Sequence, residues 1–143
     1  MKTRLTAFFI LLIVATASAN PKENILKNFA SAFPNADSIV WQEGSTETSV
    51  YFINAGMKCR MWYDADGNIL RCIRYCKQDK LPPMVIASLQ KNYPAMKISG
   101  ITEFSSAEKF VYEITLENEK KFVVVSADVT GNLSLTRKFN KAS

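Results

Sequence analysis

Histidine is absent from the 143 residues, which removes at once the commonest general base and the commonest zinc-binding side chain. Cysteine is scarce and odd in number, with Cys59, Cys72 and Cys76 only. Their spacing matches no zinc pattern, so no metal site and no His-assisted thiol nucleophile is expected. Arg60, Arg71 and Arg74 could stabilise a thiolate but cannot accept its proton. The five glycines form no phosphate-cradling loop, and no serine stands in a G-x-S-x-G setting. Positive blocks are missing too. The formal net charge of +5 includes Lys2 and Arg4 of the N-terminal leader, and the remaining charges of both signs are interspersed, unlike the footprint of a nucleic-acid binder. Nothing calls for a cofactor, and an enzyme is not expected.

Long apolar runs are nearly absent as well. Leu5 to Ala19 carries no charge, follows Met1-Lys2-Thr3-Arg4 and closes on Ala17-Ser18-Ala19, the three parts of a secretory signal peptide. It is shorter than the ~20 apolar residues of a membrane span. Val123 to Val125 is shorter still, so no span is expected after cleavage near Asn20. Residues 1–19 therefore read as a signal peptide and 20–143 as one domain, secreted or periplasmic, where disulfides can persist.

What is present is organised by Tyr63-Asp64-Ala65-Asp66-Gly67-Asn68-Ile69-Leu70 and its echo Ala127-Asp128-Val129-Thr130-Gly131-Asn132-Leu133. Asp64, Asp66, Gly67 and Asn68, and later Asp128, Gly131 and Asn132, are turn chemistry: Gly reaches positive φ, and Asp and Asn bond to nearby backbone. The first stretch superficially resembles a calcium loop, but the later ligands and the closing Glu are missing. Asn20-Pro21-Lys22-Glu23 opens a helix, and Ile25, Leu26, Phe29 and Phe33 form its apolar stripe before Pro34 stops it. Val85, Ile86, Leu89, Tyr93 and Pro94 repeat those five positions 60 residues later. Because the turn echo is offset by 64, four extra residues belong in a hairpin near Ser105-Ser106 or Asn118-Glu119.

Short segments rich in Val, Ile, Tyr, Trp and Phe follow each helix: Ile39–Glu43, Thr48–Asn54, Lys58–Tyr63 and Ile69–Lys77, then Lys97–Phe104, Lys109–Glu117, Lys121–Ala127 and Leu133–Phe139. They read as strands. The expected fold class is α+β: a tandem repeat of α-β-β-β-β over residues 20–77 and 81–140, in two layers, with helices on one face of an antiparallel sheet. Phe110, Tyr112, Ile114 and Leu116 mark a buried strand face by alternation, as do Leu133, Leu135 and Phe139. Trp41 reads as core, and Glu103, Glu108, Glu113 and Glu117 read as solvated.

Phe33-Pro34-Asn35-Ala36, then Val40-Trp41, the Tyr63–Leu70 turn, Leu81-Pro82 opening the second helix and Tyr93-Pro94 closing it resemble the secreted PepSY-like family, related in fold to the β-lactamase-inhibitor protein. The resemblance covers nearly all of residues 20–143. It implies a tandem repeat of helices on antiparallel sheet, an exported and often periplasmic protein, and no established enzymatic activity. The inhibitor relatives bind an enzyme across the open sheet face, which is an analogy at the level of fold alone.

Two constellations remain. If the 63-to-69 turn is a four- or five-residue hairpin loop, Cys59 falls nearly opposite Cys72 and the two could bridge adjacent strands. Cys76, four residues beyond Cys72 and about 13 Å away at strand rise, would be the spare thiol. On the Lys58–Tyr63 strand, Lys58, Arg60 and Trp62 share one face, with Tyr51 and Arg74 on the same side by alternation. Trp and Arg are the residue types enriched in interface hot spots. The competing reading packs Trp62 under a loop, and both alternating sets contain apolar residues, so both facings stay open. The function expected is a non-catalytic binding or inhibitory module meeting a protein partner in the cell envelope. The alternative is a structural or regulatory envelope protein that binds a small ligand or ion, or self-associates.

Overall fold

The computed structural model describes residues 21–142; the signal-peptide segment and Asn20 lie outside the described residues. A helix and four strands follow in order, and then the same five elements again: α1 (Glu23–Ala32), β1 (Asp37–Glu43), β2 (Thr48–Asn54), β3 (Met57–Tyr63), β4 (Ile69–Tyr75), α2 (Pro83–Asn92), β5 (Lys97–Ser106), β6 (Phe110–Glu117), β7 (Lys121–Ala127) and β8 (Leu133–Asn140). One 3-10 turn, Gln78–Lys80, leads into α2. The strands form a single eight-stranded antiparallel sheet in sequence order β1 to β8. This is an α+β fold of two helices on one sheet.

Each helix covers its own part of one face. Ile25 and Phe29 of α1 meet Val50, Phe52, Cys59, Met61 and Tyr63, while Val85 and Leu89 of α2 meet Ile101, Tyr112, Ile114, Leu116, Val123, Val125 and Ala127. The spacing of four between Ile25 and Phe29, and between Val85 and Leu89, puts each pair on one helix face. Burying one such side chain stabilises the fold by about 1.5–3 kcal/mol. Around α1 the core is aromatic, with Phe29, Phe33, Trp41 and Phe52 rings in tilted and edge-to-face contacts at 4.9 to 5.4 Å between centroids. Trp41 is therefore a core residue, as its sequence context suggests.

The turn glycines seat the helices. Gly67 has φ +89° and a Cβ there would stand 2.7 Å from Asn24 Nδ2; Gly131 has φ +90° and its Cβ would stand 2.6 Å from the Met84 carbonyl oxygen. Only glycine combines that dihedral with so close an approach. The adjacent carboxylates fold the turns. Asp64 Oδ1 accepts the Asp66 and Asn68 backbone N–H at 2.9 Å each, and Oδ2 accepts Asn68 Nδ2 at 3.0 Å. Asp128 does the same with Thr130 and Asn132. The two carboxylates are occupied by N–H donors within their own turns, and no metal-binding cluster occurs among the described residues.

Several expectations from the sequence are corrected. The N-cap of α1 is Lys22, without a side-chain cap, and the equivalent position of α2 is Pro82. Leu26 is exposed, because it lies one residue round from the Ile25–Phe29 stripe. Leu135 and Phe139 are exposed as well, at 62% and 51%. The β7–β8 register slips between Val124 and Val125, so that Leu135 pairs with Val125 but Phe139 pairs with Phe122. The slip turns Phe139 to the face away from the helices, whereas Leu135, opposite the buried Val125, keeps the helix-side facing and is exposed because β8 is the edge strand. When elements are matched in order, the four extra residues are divided between the β5–β6 and β6–β7 hairpins.

Candidate functional site

Strand register decides which side chains share the sheet face that carries no helix among the described residues. In β2–β3 the pairs Ser49–Trp62 and Tyr51–Arg60 alternate with the inward pairs Val50–Met61 and Phe52–Cys59. In β3–β4, Trp62 pairs with Arg71 and Arg60 with Ile73; in β1–β2, Val40 pairs with Tyr51 and Gln42 with Ser49. A directly opposed pair lies on one face. Lys58, Arg60, Trp62 and Tyr51 thus stand together on the open face, and the buried partners of β3 settle the facing that its sequence leaves ambiguous.

Trp62 is half-buried, with the Arg60 guanidinium 4.7 Å and the Arg71 guanidinium 4.5 Å from its ring centre. Cations attract the negative face of an aromatic ring, so the indole is held by these two guanidinium groups, beside the β1–β2 loop residues 44–47. Arg71 is fixed by a bidentate pair with Glu47, at 3.0 and 2.8 Å. That hydrogen-bonded pairing raises the Arg71 guanidinium above its ordinary value and lowers the Glu47 carboxyl. Arg60 is held by neutral groups: its Nη2 donates to Gln42 Oε1 at 2.9 Å and to Ser49 Oγ at 3.3 Å. Sequence reading misses Arg71 and Glu47 here. The signal that could find Arg71 is the register of a β3–β4 hairpin containing a bulge next to Tyr63.

Arg74 does not join this face. It lies opposite Cys59 on β3 and Glu103 on β5, on the helix-covered side, where Nε and Nη2 reach the two Glu103 carboxylate oxygens at 2.8 and 2.7 Å. The alternation expected from sequence is broken by the β3–β4 bulge between Trp62 and Tyr63. Glu103, read as solvated from sequence, is 6% exposed.

The same register corrects the cysteine pairing. Cys59 faces Arg74, and Cys72 faces Met61, so the two cysteines are diagonal neighbours, typically about 7–8 Å apart, rather than the directly opposed pair on which the expected bridge depends. All three thiols are free. Burial pushes each of them up, Cys72 to about 11, with the neighbouring Cys59 adding to the effect. A raised thiol carries less thiolate, the nucleophilic form, at a given pH.

Two shallow recesses flank Arg60. One, of about 430 Å³, is lined by Val40, Trp41, Gln42, Ser49, Tyr51 and Arg60. The other, of about 330 Å³, lies between Arg60, Trp62 and the β1–β2 loop with Glu43 and Glu47. No helix among the described residues is long and apolar enough to cross a membrane.

This arrangement, two helices on one face of an eight-stranded antiparallel sheet with the other face open, defines a β-lactamase-inhibitor-like architecture among solved structures. The chain is similar to a BLIP-like protein from Bacteroides fragilis, with 19% identity, a TM-score of 0.69, and 87% of this chain and 89% of that chain covered. A DUF2874 family protein from Bacteroides ovatus superposes with a TM-score of 0.69 at 16% identity, over 85% of this chain and 89% of its own. A candidate periplasmic protein from Bacteroides eggerthii gives 0.68 at 14% identity, over 85% and 90%. At these identities the likeness concerns the fold. No protein-family model matches the chain, and no curated protein matches it.

Proposed function

We propose that the protein is a non-catalytic, exported binding or inhibitory module that meets a protein partner in the cell envelope through its open sheet face. The observation that carries this reading is Trp62, held on that face between Arg60 and Arg71 at 4.7 and 4.5 Å. Trp and Arg supply the dominant energies of many interfaces, and here their side chains are already positioned before a partner arrives. The BLIP-like and candidate periplasmic descriptions of the structural neighbours support an inhibitor-type fold and an exported location, reached through the signal peptide at residues 1–19. The narrower PepSY-like membership belongs to the same proposal. So does the origin of the two halves as a tandem repeat, which the matched glycine seats at Gly67 and Gly131 favour.

Capture from envelope extract with wild type and Trp62→Ala tests the proposal. A partner retained by the wild type and lost or weakened about tenfold or more by Trp62→Ala is expected. Identical partner profiles sink it.

A second reading, self-association as a structural or regulatory envelope protein, is favoured by the edge strand β8, where Leu135 and Phe139 are exposed. Such an edge is a template for strand pairing. A concentration-dependent dimer abolished by Leu135→Lys would favour this reading over the first.

A further inference from the structure

The open face contains one arginine whose situation differs from that of its neighbours. Among the described residues, Arg71 pairs with Glu47, Arg74 with Glu103 and Arg137 with Glu113. The side-chain partners of Arg60 are Gln42 and Ser49, both neutral and both on Nη2. A guanidinium carries five N–H donors; with Nη2 engaged, Nε–H and the two Nη1 hydrogens of Arg60 remain, and Arg60 lines the recess of about 430 Å³ formed with Val40, Trp41, Gln42, Ser49 and Tyr51. Arg60 is the single charged group of that lining.

We infer that Arg60 is the receptor for one carboxylate of the protein partner, an Asp or Glu side chain whose apolar neighbours lie over Val40 and Tyr51. This deepens, and rests on, the open-face reading above. The Trp62 ring and the two neutral acceptors fix the guanidinium without cancelling its charge, so a carboxylate oxygen finds a remaining donor, Nε–H or Nη1–H, already oriented for a charge-assisted hydrogen bond. Val40, 61% exposed, and Tyr51 offer apolar area beside it. The adjoining recess contains Glu43, which repels a second negative charge, the Glu47 charge there being offset by Arg71. That balance favours a singly charged carboxylate over a phosphate dianion.

The test does not require the partner. The full exported protein is titrated at low salt with acetyl-Leu-Glu-Leu-amide, with the uncharged acetyl-Leu-Gln-Leu-amide, and with inorganic phosphate, while the Trp62 indole N–H and the Arg60 Nε–H are followed by NMR. Saturable shifts in the millimolar range with the Glu peptide are expected. Affinity should fall tenfold or more with the Gln peptide and in Arg60→Gln, and weaken with added salt. Unshifted backbone amides elsewhere in Arg60→Gln verify that the variant is folded. Equal responses to the Glu and Gln peptides, a response to phosphate stronger than to the Glu peptide, or an undiminished response in Arg60→Gln would each overturn the assignment. Capture of one partner by wild type and Arg60→Gln alike would also overturn it, while leaving the open-face reading intact.

Discussion

Arg74 and Glu103 form a bidentate ion pair at 2.8 and 2.7 Å across the β4–β5 boundary, where the first helix-and-four-strand set is joined to the second. The pair lies on the helix side of the sheet between the two apolar clusters, with Cys59 on one flank and Tyr112 on the other.

Its two members are unequally buried, with side-chain exposures of 42% for Arg74 and 8% for Glu103. Removing the arginine strands a carboxylate away from water, whereas removing the carboxylate leaves a guanidinium that still reaches solvent. Arg74→Met should therefore cost about 2–3 kcal/mol and Glu103→Gln only about 1 kcal/mol. Urea denaturation of both variants at neutral pH checks the order; a larger loss for Glu103→Gln would contradict it.

The cysteines should titrate as three free thiols after denaturation in the absence of reductant. In the native protein at pH 8 the half-buried Cys76 should react first. Cys72, pushed up to about 11 by burial, keeps only about one thiolate in a thousand at that pH, and Cys59 is 2% exposed. Alkylation followed by peptide mass analysis gives the order. A Cys59–Cys72 cross-link in protein isolated from an oxidising compartment would show that the strand register differs from the one described.

Gly131 and Gly67 share a positive φ but not the same neighbour. An added Cβ at Gly131 meets the Met84 backbone carbonyl, whereas at Gly67 it meets the movable end of the Asn24 side chain. Gly131→Ala should cost about 2–4 kcal/mol, the dihedral strain plus a shift of α2. Gly67→Ala should cost about 1–2 kcal/mol, mostly dihedral strain. Equal losses by thermal or urea unfolding would mean that α2 moves aside freely.

Asp128 introduces a pH dependence. Hydrogen bonds from the Thr130 hydroxyl, then from Asn132, hold its carboxyl down at about 2. A depressed carboxylate contributes stability above its unfolded value near 4, and that contribution is lost as pH falls towards 2. Asp128→Ala should be less stable than wild type at pH 7, and the difference should shrink between pH 4 and pH 2. Urea midpoints along that series measure it; a constant difference would assign the effect to packing alone.

Much of the fold is legible in the sequence because it depends on local chemistry. The stripe Ile25, Phe29, Phe33 and its counterpart Val85, Leu89, Tyr93 specify two helices, Pro34 and Pro94 stop them, and Asp-x-x-Gly-Asn specifies the turns. Alternation along Tyr112, Ile114 and Leu116 marks the buried face of β6, since neighbouring strand residues point to opposite sides; Phe110, expected in the same set, is 41% exposed at the start of the strand. The pairing of Trp62 with Arg60 on one face is legible for the same reason.

What only the tertiary structure decided is register. A bulge between Trp62 and Tyr63 moves Arg74 to the helix side, brings Arg71 beside Trp62 and sets Cys59 opposite Arg74 instead of Cys72. Glu103 becomes buried because β5 lies against β4 at the centre of the sheet. A bulge adds a single residue and leaves little trace in hydrophobic pattern, yet it inverts every facing beyond it. The sequence by itself determined the elements and their order; long-range strand pairing decided which charges face the helices and which remain on the open face.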